Sequence, residues 1–350
     1  MLDKTVAVVT LGGTIACAPH PDGGVVPVSE PAHMEGVIAA ARGSATDLPR
    51  IHVVATPPLA SAALGAPGLS ALVGSLERLV DEGADGVVVT TGTDTLEEVA
   101  FLLDLLWRRA EPLVVVGAMR HSRLPSGDGP ANLRDGLRLA GSEQARGLGC
   151  LVTLHGEVHQ AWQVRKSHTS TLSAFGSSVS GPIGSIFEDT VRIVSPSVID
   201  RPLFQLAPGS EVPPVALVTA TLADDGRLLG AVGALGYQGL VVETMGGGSV
   251  PPAWSPALER LTPNMPVVYT SRTGSGPTLR STYGGVGAER DLRRMGMIPA
   301  GLLDGLKARL LLGLLIAAGA DPSSMKQVWE LFDSPKTRGV RPRIVGAAAV

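Results

Sequence analysis

Two short polar clusters in this 350-residue chain could form a reaction centre. The first is Thr10-Leu11-Gly12-Gly13-Thr14-Ile15-Ala16, which closes an apolar run beginning at Thr5. Paired glycines let the backbone turn sharply and come close to a ligand, and Thr14 places a hydroxyl just beyond them. Taken alone, the cluster is also explained by a plain strand-to-loop turn, and it lacks the G-x-G-x-x-G spacing of a dinucleotide-binding turn. The second cluster is Thr90-Thr91-Gly92-Thr93-Asp94-Thr95. Thr95 with Glu98 fits a capping box, which accounts for one or two of these polar residues. It does not account for four hydroxyls and a carboxylate at one strand end. Two such clusters in one chain point to one shared site.

The elements that must position these residues follow from hydrophobic patterning. Thr5–Thr10, Gly86–Thr90, Leu113–Val116 and Cys150–Leu154 are short, β-branched apolar runs bounded by turn residues, the signature of buried strands. Leu69–Glu82, Leu96–Arg109 and Pro130–Ala140 have helical periodicity, the last with proline near its start. This alternation predicts an α/β chain with a mostly parallel sheet flanked by helices, and it puts both clusters at the carboxyl ends of strands, where open α/β sheets bind ligands. Residues 1–194 form the larger N-terminal domain in this reading. A Pro- and Ser-rich stretch, 195–214, reads as a linker. The pattern then restarts in a smaller C-terminal α/β domain, 215–338. Its expected strands are Val215–Thr219, Leu240–Glu243 and Val267–Thr270, and its expected helices are Arg227–Leu235, Leu302–Ala318 and a last one capped by Asp321. Residues 339–350 read as a loose tail.

Composition excludes several classes. Hydrophobic residues are 44% of the chain and charged residues 17%, which supports a sizeable core and excludes intrinsic disorder. A net charge of −3 lacks the basic footprint of a nucleic-acid or anionic-membrane binder. Two cysteines, Cys17 and Cys150, make no disulfide framework and read as reduced thiols. No basic leader precedes the first strand, and the apolar stretch 310–320 is too short to span a bilayer. A soluble, cytoplasmic protein is the expectation.

Two further constellations carry weaker signals. His155-Gly156-Glu157-Val158-His159 has the H-x-E-x-H form of a metal site, but Gly156 and the preceding apolar run favour extended chain. Its two histidines would then stand about 13 Å apart, too far to share one zinc. The turn Gly246-Gly247-Gly248-Ser249 could cradle a phosphate, yet Pro251-Pro252 follow and no P-loop lysine does. No metal or cofactor is expected.

The pieces TLGGTIA (10–16), VVVTTGTDTLEEVAFLLDLL (87–106), VVVGAMR (114–120), SGDGPANLRDG (126–136) and RKSHTSTLSAF (165–175), in this order, resemble the bacterial asparaginase/glutaminase family. The resemblance runs over nearly the whole chain and is strongest in 5–140. It implies hydrolysis of the side-chain amide of L-asparagine to L-aspartate and ammonia through a threonine acyl-enzyme. Such chemistry is demanding: a threonine hydroxyl is a weak nucleophile, a base must take its proton, and donors must hold the oxyanion. The resemblance makes Thr14 the nucleophile, Thr93 the group that positions water or oxyanion, and Lys166 the base. It has Asp94 orient Lys166 and contact the α-amino group of the substrate. Free lysine holds its proton until about pH 10.4, and a nearby carboxylate strengthens that hold. Base chemistry therefore requires burial or a proton relay through preformed hydrogen bonds. Ser61, Gly92, Ala118, Ser249 and Tyr283 fall at substrate-binding positions. The resemblance further implies a homo-oligomer, a dimer of dimers with shared sites.

The recognition shell departs from the family pattern. The loop His20–Pro27 lacks the expected tyrosine, the acidic partner of Ser61 is replaced by Ala63, Ser249 stands for an asparagine, and Tyr283 stands near an acidic position. These departures leave two alternatives, an amidase of another small amide on the same fold and a non-catalytic amino-acid-binding homologue.

Overall fold

The computed structural model describes residues 3–20, 22, 25–27, 31–43, 45–54, 65–121, 124–196, 201–206, 211–333 and 343–345. The chain divides into two compact units, Met1–Pro196 with Ala207–Gly209, and Ser197–Leu206 with Ser210–Val350.

The first unit opens with β1 (Thr5–Thr10), the short hairpin β2 (Cys17–Pro19) and β3 (Val25–Pro27), α1 (Pro31–Arg42) and β4 (Arg50–Val54). It continues through α2 (Ala66–Asp81), β5 (Gly86–Thr90), α3 (Leu96–Leu106), β6 (Leu113–Val116) and α4 (Gly129–Ala140). Six short strands complete it. They are β7 (Cys150–Leu154), β8 (Glu157–Gln160), β9 (Val164–Lys166), β10 (Phe175–Ser177), β11 (Gly184–Phe187) and β12 (Thr190–Ile193).

Eight of these strands form one sheet in the order β12-β11-β8-β7-β6-β5-β1-β4. From β4 to β7 the pairing is parallel; from β7 to β12 it is antiparallel. Strands buried on both faces read as unbroken apolar runs, and every residue of β5, β6 and β7 is buried. On one face Val6, Val8, Val88, Val114 and Val116 pack with Val37 and Ile38 of α1 and Leu133 and Leu137 of α4. The alternate residues Ala7, Val9, Val87 and Val89 are equally buried, and α2 and α3 lie against β5, β6 and β7.

The chain leaves β1 toward β4 on one side, and leaves β5 toward β6 on the other. Connections therefore diverge between β1 and β5, which opens a crevice at their carboxyl ends. Both threonine clusters lie at that crevice.

The second unit holds β13 (Pro202–Phe204), β14 (Val215–Thr219), α5 (Arg227–Val232), β15 (Gly239–Thr244), α6 (Ser255–Leu261) and β16 (Val267–Ser271). Then come α7 (Glu289–Arg294), β17 (Ile298–Pro299), α8 (Gly305–Ala317), α9 (Pro322–Asp333) and β18 (Arg343–Val345). Strands β14-β15-β16-β17 form a parallel sheet in sequence order. Leu240, Val242 and Tyr269 pack against Leu229, Trp254 and Leu258.

Several element ends differ from the sequence expectation. α3 stops at Leu106, where Trp107 turns extended and its indole Nε1 donates to the Glu111 carbonyl at 2.8 Å. α8 starts at Gly305 because Asp304 caps it, accepting the Lys307 amide at 3.0 Å. α5 ends at Val232, three residues short of Leu235. Within the stretch expected as linker, Pro202–Phe204 is a strand, and it pairs in parallel with Arg343–Val345 from the expected tail. Both cysteines are buried thiols outside any disulfide.

Close sheet packing makes one glycine decisive. A Cβ on Gly86, the first residue of β5, would lie 2.1 Å from the Ala140 carbonyl oxygen at the end of α4. Backbone cannot yield as a side-chain tip can, so Gly86→Ala should destabilise the protein by about 1–3 kcal/mol. A urea midpoint equal to that of the wild type would refute this.

Candidate active site

The crevice is built by two loops whose backbones touch. After β1 the chain passes Gly12 and Gly13, both with φ near +88° (88° and 87°), and enters a short 3₁₀ turn, Thr14–Ala16. A Cβ on Gly13 would stand 2.4 Å from the Gly92 nitrogen and 2.5 Å from the Thr91 carbonyl carbon. Position 13 therefore needs glycine for two independent reasons, the positive φ and the contact. Thr14 and Thr93 are the residues immediately beyond this contact on their respective loops. Below it, the Thr90 hydroxyl donates to Thr10 Oγ1 at 2.9 Å, and the Leu11 amide donates to the Thr90 carbonyl at 2.8 Å. The Thr91 hydroxyl is buried and makes no hydrogen bond among the described residues.

Lys166 comes from the end of β9, in a hairpin with β10 where it pairs with Phe175. Its Nζ donates to Thr93 Oγ1 at 3.0 Å and to Asp94 Oδ1 at 2.7 Å. The buried Glu97, in the first turn of α3, accepts the Lys166 backbone amide at 3.3 Å. The ion pair is lopsided: the Lys166 side chain is 16% exposed and that of Asp94 is 94% exposed. An exposed carboxylate adds little to stability through such a pair, ~0–1 kcal/mol. The pairing leaves the carboxylate open to solvent while its partner ammonium also reaches Thr93. Thr95 sits at the N-cap of α3, where its side chain makes no hydrogen bond to the helix amides.

The remaining expected positions fall in both units or outside the described residues. Gly92 lies at the loop contact, and Ala118 is fully buried in the loop after β6. Ser61 and Ala63 lie outside the described residues. Ser249 and Tyr283 belong to the second unit. There Ser249 exchanges backbone hydrogen bonds with Met245 around the glycine turn, at 2.7 and 3.1 Å. Tyr283 is 58% exposed, and its amide donates to the buried Glu289 carboxylate at 2.5 Å. The structure thus brings together Thr14, Gly92, Thr93, Asp94 and Lys166.

His155 and His159 do not form a helical pair. His155 and Gly156 make the two-residue turn between β7 and β8, both with positive φ (54° and 76°), as hairpin geometry requires. His159 points into the core, where its Nδ1 lies 3.0 Å from Ser177 Oγ of β10. Its Nε2 sits 3.4 Å from a Glu157 carboxylate oxygen without a hydrogen bond. The Ser177 contact ties the Lys166 hairpin to the large sheet. No group of three or more His, Cys, Asp or Glu side chains among the described residues could hold a metal ion.

Residues 5–198 match the family model described as Asparaginase, N-terminal, and residues 214–329 match the Glutaminase/Asparaginase C-terminal domain. The chain belongs to the asparaginase family. Among relatives, the probable L-asparaginase of Deinococcus radiodurans is 38% identical over 333 residues, covering 92% of this chain and 96% of that protein. The probable periplasmic L-asparaginase of Haemophilus influenzae is 34% identical over 256 residues, 72% of this chain and 71% of that protein. The crystal structure of a probable cytoplasmic L-asparaginase from Campylobacter jejuni superposes with a TM-score of 0.81 at 28% identity, covering 94% and 99% of the two chains. In this asparaginase family member, no helix among the described residues is long and apolar enough to cross a membrane.

Three polar residues of the first unit that pack around this candidate site were not assigned roles by sequence reasoning: Glu97, Asp128 and Asn132. Asp128 and Asn132 lie inside the quoted segment SGDGPANLRDG, but an Asp before Gly-Pro at a helix start reads as a cap. His159 carries the clearest pH signature near the site. Burial pushes its imidazole down from 6.5 to about 4. The neutral form is therefore favoured on folding, and its contribution is complete above pH 6.5 and lost as pH falls toward 4. The loss should reach about 3 kcal/mol. His159→Gln should flatten the fall in the urea midpoint between pH 6.5 and 4.5; a slope identical to the wild type would remove His159 as its source.

Proposed function

We propose that this chain hydrolyses the side-chain amide of L-asparagine to L-aspartate and ammonia, with Thr14 as nucleophile. The observation that carries the reading is the contact of one lysine ammonium with both Thr93 Oγ1 and Asp94 Oδ1, beside the Gly13–Gly92 backbone contact. Thr14 Oγ adds to the amide carbon, and its proton leaves through the hydroxyl and amine network of Thr93 and Lys166. The oxyanion collapses, the C–N bond breaks, and the nitrogen departs as ammonia carrying a proton. Water positioned at Thr93 then adds to the threonine ester and releases aspartate. In this reading the hydrogen-bonded relay, rather than an isolated neutral lysine, handles the proton.

Asp94, nearly fully exposed on its side chain, suits a ligand ammonium. Ser61, Gly92 and Ala118 complete the substrate contacts of this reading. Residues 1–194 act as the catalytic domain, and the 215–338 domain offers Ser249 and Tyr283 to the site of a neighbouring copy in a dimer of dimers. A cytoplasmic location goes with the same reading, supported by the name of the Campylobacter relative; the Haemophilus relative is named periplasmic.

Thr14→Val should cost about 10⁴-fold in kcat while leaving the fold intact, since only a hydroxyl is exchanged for a methyl. Activity above a hundredth of wild type would remove Thr14 from the nucleophile role. Lys166→Met should collapse kcat with little change in aspartate affinity. A variant with normal kcat and a raised KM would make Lys166 a binding contact instead.

A further inference from the structure

Asp128 occupies the N-cap position of α4 but does not cap it. Its two carboxylate oxygens reach away from the helix to the loop after β6, accepting the Met119 amide at 3.0 Å and the Arg120 amide at 2.8 Å. One turn on, Asn132 is almost fully buried. Its Nδ2 donates to the Gly117 carbonyl and to Asp128 Oδ2, both at 3.0 Å, and its Oδ1 accepts the His155 amide at 3.0 Å. Four hydrogen bonds thus clamp residues 117–120 and the β7–β8 turn to the start of one helix, and a fifth links the two residues that make them.

What the clamp holds is the wall behind the reacting threonines. A Cβ on Gly117 would stand 3.0 Å from Thr93 Cγ2 and 3.1 Å from the Thr91 carbonyl oxygen. A Cβ on Gly129, the first residue of α4, would stand 3.1 Å from Ile15 Cγ1, the side chain next to Thr14. With the Thr93 methyl seated on Gly117, its hydroxyl is left facing Lys166. Rotation of Thr93 about χ1 would exchange the two groups and break the Lys166 contact.

We propose that Asp128 and Asn132 are positioning residues, which fix the rotamer of Thr93 through the 117–120 loop and so keep its hydroxyl on Lys166. This rests on the reading of Thr93 as part of the hydrolytic machinery. Asn132→Ala should lower kcat for asparagine by about tenfold to a hundredfold, the range a misplaced reacting group produces. A role in stability alone would lower kcat too, so the deciding measurement is coupling. In a Thr93→Val background the hydroxyl is already absent, and Asn132→Ala should then cost no more than about threefold. Asp128→Asn, which keeps size but loses one acceptor, should behave in the same way and serves if Asn132→Ala does not fold. Full multiplication of the two losses, in either pair, overturns the positioning role. A wild-type protein that releases no ammonia from asparagine overturns the hydrolytic reading, and this inference with it; an active wild type with multiplicative variants overturns this inference alone.

Discussion

Everything at the proposed site depends on one steric fact: the backbone of the first loop lies directly against the backbone of the second. Gly13 leaves no room for a side chain between itself and Thr91–Gly92. The contact exists because β1 and β5 are neighbouring parallel strands in register from Val6–Gly86 to Thr10–Thr90, so the first residues after each emerge side by side before the two connections part. Threonines placed one residue past the contact are held side by side by main chain, which is stiffer than any side-chain link. The parallel sheet beneath, with valines on both faces, is what makes those two strand ends a fixed reference.

Charge is then laid over this frame unevenly. Lys166 arrives on a small hairpin outside the main sheet, and several tethers set its position. Glu97 holds its amide, Thr93 and Asp94 hold its ammonium, and the His159–Ser177 contact holds the hairpin itself. Its stem is buried while its acidic partner is open. A buried pair would spend its charge on itself; here the carboxylate keeps unused acceptor capacity facing solvent, as recognition of a cationic group requires.

The large elements were legible because buried parallel strands announce themselves. TVAVVT, GVVVT, LVVV, CLVTL and VALVT stand where their apolar runs place them. The edge strand RIHVV was not visible as a strand, since its mostly exposed or half-buried residues follow no alternation. The short antiparallel strands β8 to β12 are too brief to carry a period, and the β13–β18 pair depends on a partner about 140 residues away. At the site, the glycine and threonine clusters were visible as residue types out of place at strand ends. Lys166 was reached only through family resemblance, because one lysine on a three-residue strand has no local signature. Asp128 and Asn132 were hidden by ambiguity: a cap and a tether use the same residue at the same position, and only the direction of the carboxylate separates them.

The ordering of these contacts along the chain also bears on how the protein acquires activity. The Thr10–Thr90 hydrogen bond spans 80 residues, and the bonds from Lys166 to Thr93 and Asp94 span 73 and 72. The full set cannot meet until β1 has paired with β5 and the β9–β10 hairpin has docked, and parallel pairing of this kind is slow because chain entropy is lost before contacts form. A nascent or partly folded chain therefore carries all of the reactive residues and none of the constellation. Catalytic competence would emerge late and all at once, which makes turnover a stringent reporter of the completed first unit.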